Sequence, residues 1–183
     1  MAKLIYVANV GYIEDAHGGF EWTEPSEEVF SFITDLVRPV GCYLYGRRMY
    51  ETMAVWETDP TLAGQSEFTA AFANVWGAAD KIVYSTTLHT ASTANTRLEA
   101  RFDPDSVRNM KTTASSDLTI DGPTLAVHAF NAGLVDECHL FIYPVVVGDG
   151  KAAFLSDARV PLQLLEEYRF GNGVVYLRYR TLS

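Results

Sequence analysis

Three short stretches carry residue types that could hold an anion. The first is "YLYGRRMYE", where an apolar run ends at Gly46 and Arg47 and Arg48 follow at once. A helix opening there offers unpaired N–H groups and the positive end of its dipole. Arginine adds a planar fork that matches a phosphate. The same dipole disfavours cations at a helix start, so two surface arginines there lack a structural reason. The second stretch is "IDGPTL", where Asp121 and Gly122 precede Pro123, Thr124 and Leu125. The glycine permits close backbone approach, and proline suits a first helical residue. The third is "YSTTL", which places Ser85, Thr86 and Thr87 after an apolar run.

These stretches share one property: each follows a segment that reads as a strand. "KLIYVANV" (3–10), "CYLYG" (42–46), "DKIVYS" (80–85) and "DLTIDGP" are β-rich, and "TRLEARF" reads as a further short strand. Between them lie helical patterns. "PSEEVFSFITDLV" (25–37) spaces Val29, Phe30, Ile33, Leu36 and Val37 along one face. "RRMYETMAVW" reads as a short helix. Phe68, Phe72, Val75 and Trp76 mark another within residues 59–79. Asp103 and Pro104 open a helix, and 123–133 forms one closed by Gly133. "GYIEDAHGGFEWTEP" reads as a loop, and "DECHLFIYPVVVG" (136–148) as a long strand bent at Pro144. Two alternating runs around Asn172-Gly173 predict a hairpin. Strands alternating with helices, then a hairpin, predict an α/β fold. Its sheet is mostly parallel, with antiparallel strands at one edge. In open α/β sheets ligands bind at the carboxyl ends of strands. Three polar or glycine-bearing strand ends therefore fit one extended ligand with phosphates.

The totals narrow the function. The 183 residues read as one domain, 1–183, with 48% hydrophobic content and a net charge of -9. That acidity argues against nucleic acid, whose binding rests on neutralising phosphates, but a local basic pair can still hold a small anion. No apolar run is long enough to span a bilayer, and "MAKLIYVANV" lacks a signal-peptide pattern, so a cytoplasmic location without a membrane partner is expected. Cys42 and Cys138 sit in apolar runs and read as buried free thiols. The four histidines are scattered, and no metal site is expected. The chain contains no G-x-G-x-x-G, no P-loop, no H-E-x-x-H, no C-x-x-C and no G-x-S-x-G.

The pieces in this order resemble the dihydrofolate reductase-like fold and, within it, the reductase domain of bacterial riboflavin biosynthesis, the RibD C-terminal domain family. The resemblance rests on "KLIYVANV", "YLYGRRMYE", "KIVYSTTL", "DGPTLAVHAFNAGLVDECHLFIYPVVVGDGK" and "RFGNGVVYLRYR". It implies a three-layer fold with helices on both faces of the sheet, and NADPH lying across the strand ends. Gly46, Arg47, Arg48 and Met49 match the turn that takes cofactor phosphates, with the arginines facing the 2′-phosphate and the pyrophosphate. Ser85 and Thr86 match the adenosine side. Asp121, Gly122, Pro123, Thr124 and Leu125 match the turn and helix that approach the pyrophosphate and nicotinamide. Substrate would be bordered by Ala8, Asn9, Tyr12, Trp22, Tyr45, Tyr50, Trp56, Tyr143 and Val147, each aromatic being equally open to a role in the core.

Three departures from the family pattern stand out. "ANVGYIED" passes from Val10 to Gly11 as though about three residues were absent, which removes an acid beside the nicotinamide pocket. Asp121 occupies the first place of a usual glycine pair, where an acid must point away from phosphate or bind a hydroxyl. Met49 stands where threonine is common. The implied activity is hydride transfer from NADPH to a small heterocyclic substrate, pterin-like or ribosylaminopyrimidine-like. Asp15 is preferred over Glu14 or an ordered water as proton donor. The rival reading is a non-catalytic, self-associating nucleotide-binding module on the same fold. Related proteins suggest a homodimer through the apolar C-terminal strands.

Overall fold

The computed structural model describes residues 1–154 and 159–182. In chain order the elements are β1 (Leu4–Asn9), β2 (Tyr12–Asp15), a 3-10 turn (Glu21–Thr23), α1 (Glu27–Val37), β3 (Val40–Gly46), α2 (Arg47–Met53), α3 (Val55–Thr58), α4 (Pro60–Ala63), α5 (Glu67–Ala78), β4 (Asp80–Tyr84), β5 (Thr96–Glu99), α6 (Pro104–Thr113), β6 (Asp117–Asp121), α7 (Pro123–Asn131), β7 (Glu137–Ile142), β8 (Gly150–Ala152), β9 (Leu162–Arg169) and β10 (Val175–Thr181).

Eight strands form one sheet in the order β5-β4-β3-β6-β1-β7-β10-β9. The six from β5 to β7 run parallel, and β10 and β9 close one edge antiparallel. Local chemistry sets the main boundaries. The Ser26 hydroxyl accepts from Val29 N–H at the head of α1, and Asp103 with Pro104 starts α6 as expected. Gly173 takes φ +89 in the turn between β9 and β10.

Alternation along the parallel strands sends side chains to two faces. Leu4, Tyr6, Leu44, Leu118, Ile120, Cys138 and Leu140 pack with Val107 of α6 and with Leu125, Ala126 and Ala129 of α7. Tyr43, Tyr45 and Val83 pack on the other face with Phe72 and Trp76 of α5 and with Phe30 and Ile33 of α1. Helices therefore cover both faces, giving three layers. Trp76 is fully buried, and truncating so large a ring costs on the order of 3–5 kcal/mol.

Two sequence expectations need correction. The long strand expected over 136–148 stops at Ile142, two residues before Pro144, which cannot donate to a ladder. Val146 beyond it is 96% exposed. The loop expected over 11–25 contains β2, which pairs antiparallel with β8 as a separate two-stranded ribbon. That ribbon has no room for a side chain at Gly150, where a Cβ would lie 2.0 Å from the Glu14 carbonyl oxygen. The shortened turn at Val10-Gly11 is closed by Gly11 at φ +96, and its carbonyl accepts from Ala153 N–H. Cys138 is buried and Cys42 half-buried, both free. Burial pushes their thiols up to about 12 and about 11, away from reactivity.

Candidate functional site

Because β3, β4, β5 and β6 are parallel neighbours, their carboxyl ends lie along one edge. A cleft of about 690 Å³ opens there. Ten of the eleven residues expected to hold a cofactor line it: Gly46, Arg47, Arg48, Met49, Ser85, Thr86, Asp121, Gly122, Thr124 and Leu125. The eleventh, Pro123, is buried at the first turn of α7.

Two helix heads open onto this cleft, and neither carries a side-chain cap. The N-cap of α2 is Gly46 and that of α7 is Gly122. Helices α1, α5 and α6 are each capped by a serine or aspartate side chain. The leading N–H groups of α2 and α7 thus remain available to a ligand. Gly122 has φ +88, so a larger residue there would be strained.

Arg47, Arg48, Arg101 and Lys151 bring cations to the cleft of an acidic chain. Arg47 Nε lies 2.7 Å from Glu51 Oε1, and its Nη1 donates to Thr87 Oγ1 at 2.9 Å. This bond ties the end of β3 to the end of β4. Arg48 Nη2 pairs with Glu14 Oε2 at 3.0 Å, joining the head of α2 to the β2–β8 ribbon. Ser85 Oγ accepts from the N–H groups of Thr87 and Leu88, which shapes the turn after β4. Phe102 stacks on His128 at 5.9 Å and 25° and packs against Tyr84 at 5.5 Å; all three line the cleft.

Asp121 neither points out into solvent nor meets a cation. It is 8% exposed, and Thr119 Oγ1 donates to its Oδ2 at 2.9 Å. Burial lifts its carboxyl to about 7, against the opposing hydrogen bond from Thr119.

Sequence reasoning missed Tyr84, Ala100, Arg101, Phe102, His128 and Lys151; Thr87, named with the third strand end, lines the cleft as well. Arg101 and Phe102 follow β5, so the strand-end rule applied to "TRLEARF" would have found them. His128 and Lys151 arrive by the packing of α7 and of the ribbon, which no local pattern announces.

The substrate-side expectations fare differently. Tyr45 is buried, and its hydroxyl accepts from Trp76 Nε1 at 3.1 Å. Tyr50 is buried, and its hydroxyl accepts from the N–H groups of Ser92 and Thr93 at 2.8 and 3.1 Å. Trp56 packs on Phe30 and Phe72. These three belong to the core between sheet and helices. Ala8 is buried in the core on the α7 side. Asn9, Tyr12, Trp22, Tyr143 and Val147 are half-buried, and none lines the cleft. Trp22 Nε1 is buried without a hydrogen-bond partner among the described residues.

Asp15 is also reassigned. Its Oδ1 accepts from His17 N–H at 2.8 Å and Gly19 N–H at 2.9 Å. The bonds from Gly19 and His17 hold its carboxyl below the usual range. A half-buried carboxylate that accepts two backbone N–H bonds in its own turn favours its ionised form over the proton-donating acid.

The family model described as RibD C-terminal domain matches residues 11–176. The chain belongs to the RibD C-terminal domain family. The uncharacterized protein YyaP of Bacillus subtilis (strain 168) is 27% identical over 180 residues, covering 92% of this chain and 88% of that protein. A putative riboflavin biosynthesis protein from Shewanella sp. PV-4 superposes with a TM-score of 0.77 at 17% identity, each chain covered completely. The diaminohydroxyphosphoribosylaminopyrimidine deaminase/5-amino-6-(5-phosphoribosylamino)uracil reductase of Thermotoga maritima superposes with a TM-score of 0.65 at 14% identity. That match covers 99% of this chain and 57% of the larger protein. The shared architecture is the dihydrofolate reductase-like α/β fold. Among the described residues, no helix is long and apolar enough to cross a membrane, and no group of three or more His, Cys, Asp or Glu could hold a metal ion.

Proposed function

We propose that this RibD C-terminal domain protein is an NADPH-dependent reductase that transfers a hydride to a small heterocyclic substrate, pterin-like or ribosylaminopyrimidine-like. The observation that carries the reading is the convergence of two uncapped helix heads and four cationic side chains on one strand-end cleft. The residues present fit the cofactor: Arg47, Thr87 and Ser85 offer donors to a 2′-phosphate, and the heads of α2 and α7 offer N–H groups to a pyrophosphate. Phe102 and His128 supply a flat stacked surface for a base.

NADPH, when bound, supplies the hydride. What remains for the chain is to hold the ring and acceptor about 3–3.5 Å apart and to keep water from the reacting carbon. Asn9, Tyr12, Trp22, Tyr143 and Val147 are the residues assigned to the substrate side. An NADPH oxidation screen against dihydrofolate-like and ribosylaminopyrimidine substrates tests the reading. Turnover of one class supports it, and failure to bind NADPH by calorimetry rejects it.

The ionised, turn-capping Asp15 favours one second reading, a nucleotide-binding module without turnover. Tight NADPH binding with no turnover across the screen selects that alternative. Both readings include a homodimer: β9 is exposed along its whole length and carries Leu162, Leu164 and Tyr168. Light scattering from a monomer at working concentration would reject the dimer.

A further inference from the structure

Asp121 is an acid built into a cleft that otherwise attracts anions. It ends β6, one residue before the φ +88 glycine that heads α7. Its register partner on β3 is Tyr45, and Thr119 is paired with Tyr43. The carboxyl therefore sits on the sheet face that α1 and α5 cover, where α1 presents the apolar Phe30 and Ile33. Its Oδ2 is engaged by Thr119, and the residue borders the cleft.

The neighbouring charges do not neutralise it. On α2, Arg47 is paired with Glu51 and Arg48 with Glu14. On β4, Lys81 gives its ammonium to the Gly77 and Ala79 carbonyls at the end of α5. His128 of α7 stacks on Phe102. Arg101 beyond β5 and Lys151 of β8 line the cleft, and among the described residues neither forms an ion pair with Asp121. The remaining titratable neighbours are the hydroxyls of Tyr6, Tyr43 and Tyr45, whose own ionisation Asp121 and burial both oppose. The Tyr43 hydroxyl is buried without a hydrogen-bond partner among the described residues.

We propose that Asp121 couples dinucleotide affinity to pH, the cleft accepting a phosphate-bearing dinucleotide while Asp121 carries its proton and rejecting it once Asp121 is ionised. This rests on the dinucleotide reading above. The physical reason is the cost of placing a carboxylate and a phosphate together in a partly desolvated cleft. Burial, which lifts the carboxyl to about 7, puts the switch near neutral pH.

The test is NADPH affinity at pH 6 and pH 8 for the wild type, Asp121→Asn and Thr119→Val, each checked for folding by thermal melting. For a group titrating near 7 that must be protonated, the wild type loses about tenfold in affinity between these pH values. Asp121→Asn lacks this loss. Thr119→Val removes the bond that favours the carboxylate, so its loss begins at higher pH and is smaller by pH 8. The 2′-phosphate of NADPH titrates near pH 6 by analogy with other phosphate monoesters, and that contribution is common to all three proteins. Parallel pH profiles for the wild type and both variants would overturn the proposal alone. No NADPH binding by any folded form at pH 6 would overturn the dinucleotide reading and the proposal with it. Should Asp121→Asn not fold, the Thr119→Val shift decides: an unmoved profile rejects the proposal.

Discussion

Arg48 Nη2 lies 3.0 Å from Glu14 Oε2, so a guanidinium at the head of α2 is held by a carboxylate from the β2–β8 ribbon. A phosphate arriving at this place competes with Glu14 for Arg48. Glu14→Gln removes the competing charge while the backbone pairing of the ribbon stays. NADPH affinity should rise about two- to fivefold, the scale of a partly exposed ion pair. Calorimetric titration checks this. A loss of affinity would mean that Glu14 orients Arg48 for the ligand and does not compete for it.

Arg47 bridges two strand ends through Thr87 and is paired to Glu51. Arg47→Ala should weaken NADPH by about tenfold or more, because a charge-assisted bond to phosphate contributes about 1.5–3 kcal/mol. NADH, which lacks the 2′-phosphate, should change little. Equal losses in the two titrations would show that Arg47 does not read that phosphate.

The ribbon that carries Glu14 and Lys151 depends on Gly150. A Cβ there would meet the Glu14 carbonyl at 2.0 Å, and backbone cannot step aside as a flexible side chain can. Gly150→Ala should destabilise the protein by about 1–3 kcal/mol and reduce NADPH affinity, since the ribbon brings Lys151 to the cleft. Urea unfolding and titration of the same sample separate the two effects. Unchanged stability would mean that the ribbon re-forms in another register.

Far from the cleft, Glu137 gathers Lys3 at 2.7 Å, Arg178 at 2.8 Å and His139 at 3.2 Å. Burial alone would push its carboxyl up. The bonds from Arg178, Lys3 and His139 outweigh that and hold it at about 2. With the folded value below the unfolded one, this stabilisation is present above pH 4.5 and fades as pH falls toward 2. Glu137→Gln should therefore cost most near pH 7, about 3–5 kcal/mol for one broken member of a buried ionic group. The gap to wild type in urea should narrow at pH 3. A gap independent of pH would assign the loss to packing.

How much of this was legible in advance follows from how local each signal is. The hairpin at Asn172-Gly173 and the start of α6 at Asp103-Pro104 are set by adjacent residues, and both stand where expected. The lining of the strand-end cleft was legible for a related reason. A strand end followed by a glycine, a hydroxyl or an arginine is a local pattern, and parallel pairing brings such ends together whatever the details of the core. The pairing of β2 with β8 was not legible, because its partners lie more than 130 residues apart and each strand is only three or four residues long.

Tertiary structure decided which polar and aromatic groups face a ligand. Tyr45, Tyr50 and Trp56 have the composition of a pocket wall, yet α5, α1 and the 92–93 segment enclose them. Asp15 was the preferred proton donor on sequence, and the backbone N–H groups of its own turn engage it. Asp121 was marked from sequence as an oddity near phosphate. Only the packed sheet shows it buried with Thr119 and raised to about 7. By itself the sequence determined the order of the parallel strands, the longer helices and the closing hairpin, and most of the residues at strand ends, since these depend on short-range pattern. Burial and charge environment depend on which distant segments close over a side chain, and that was decided by the folded structure.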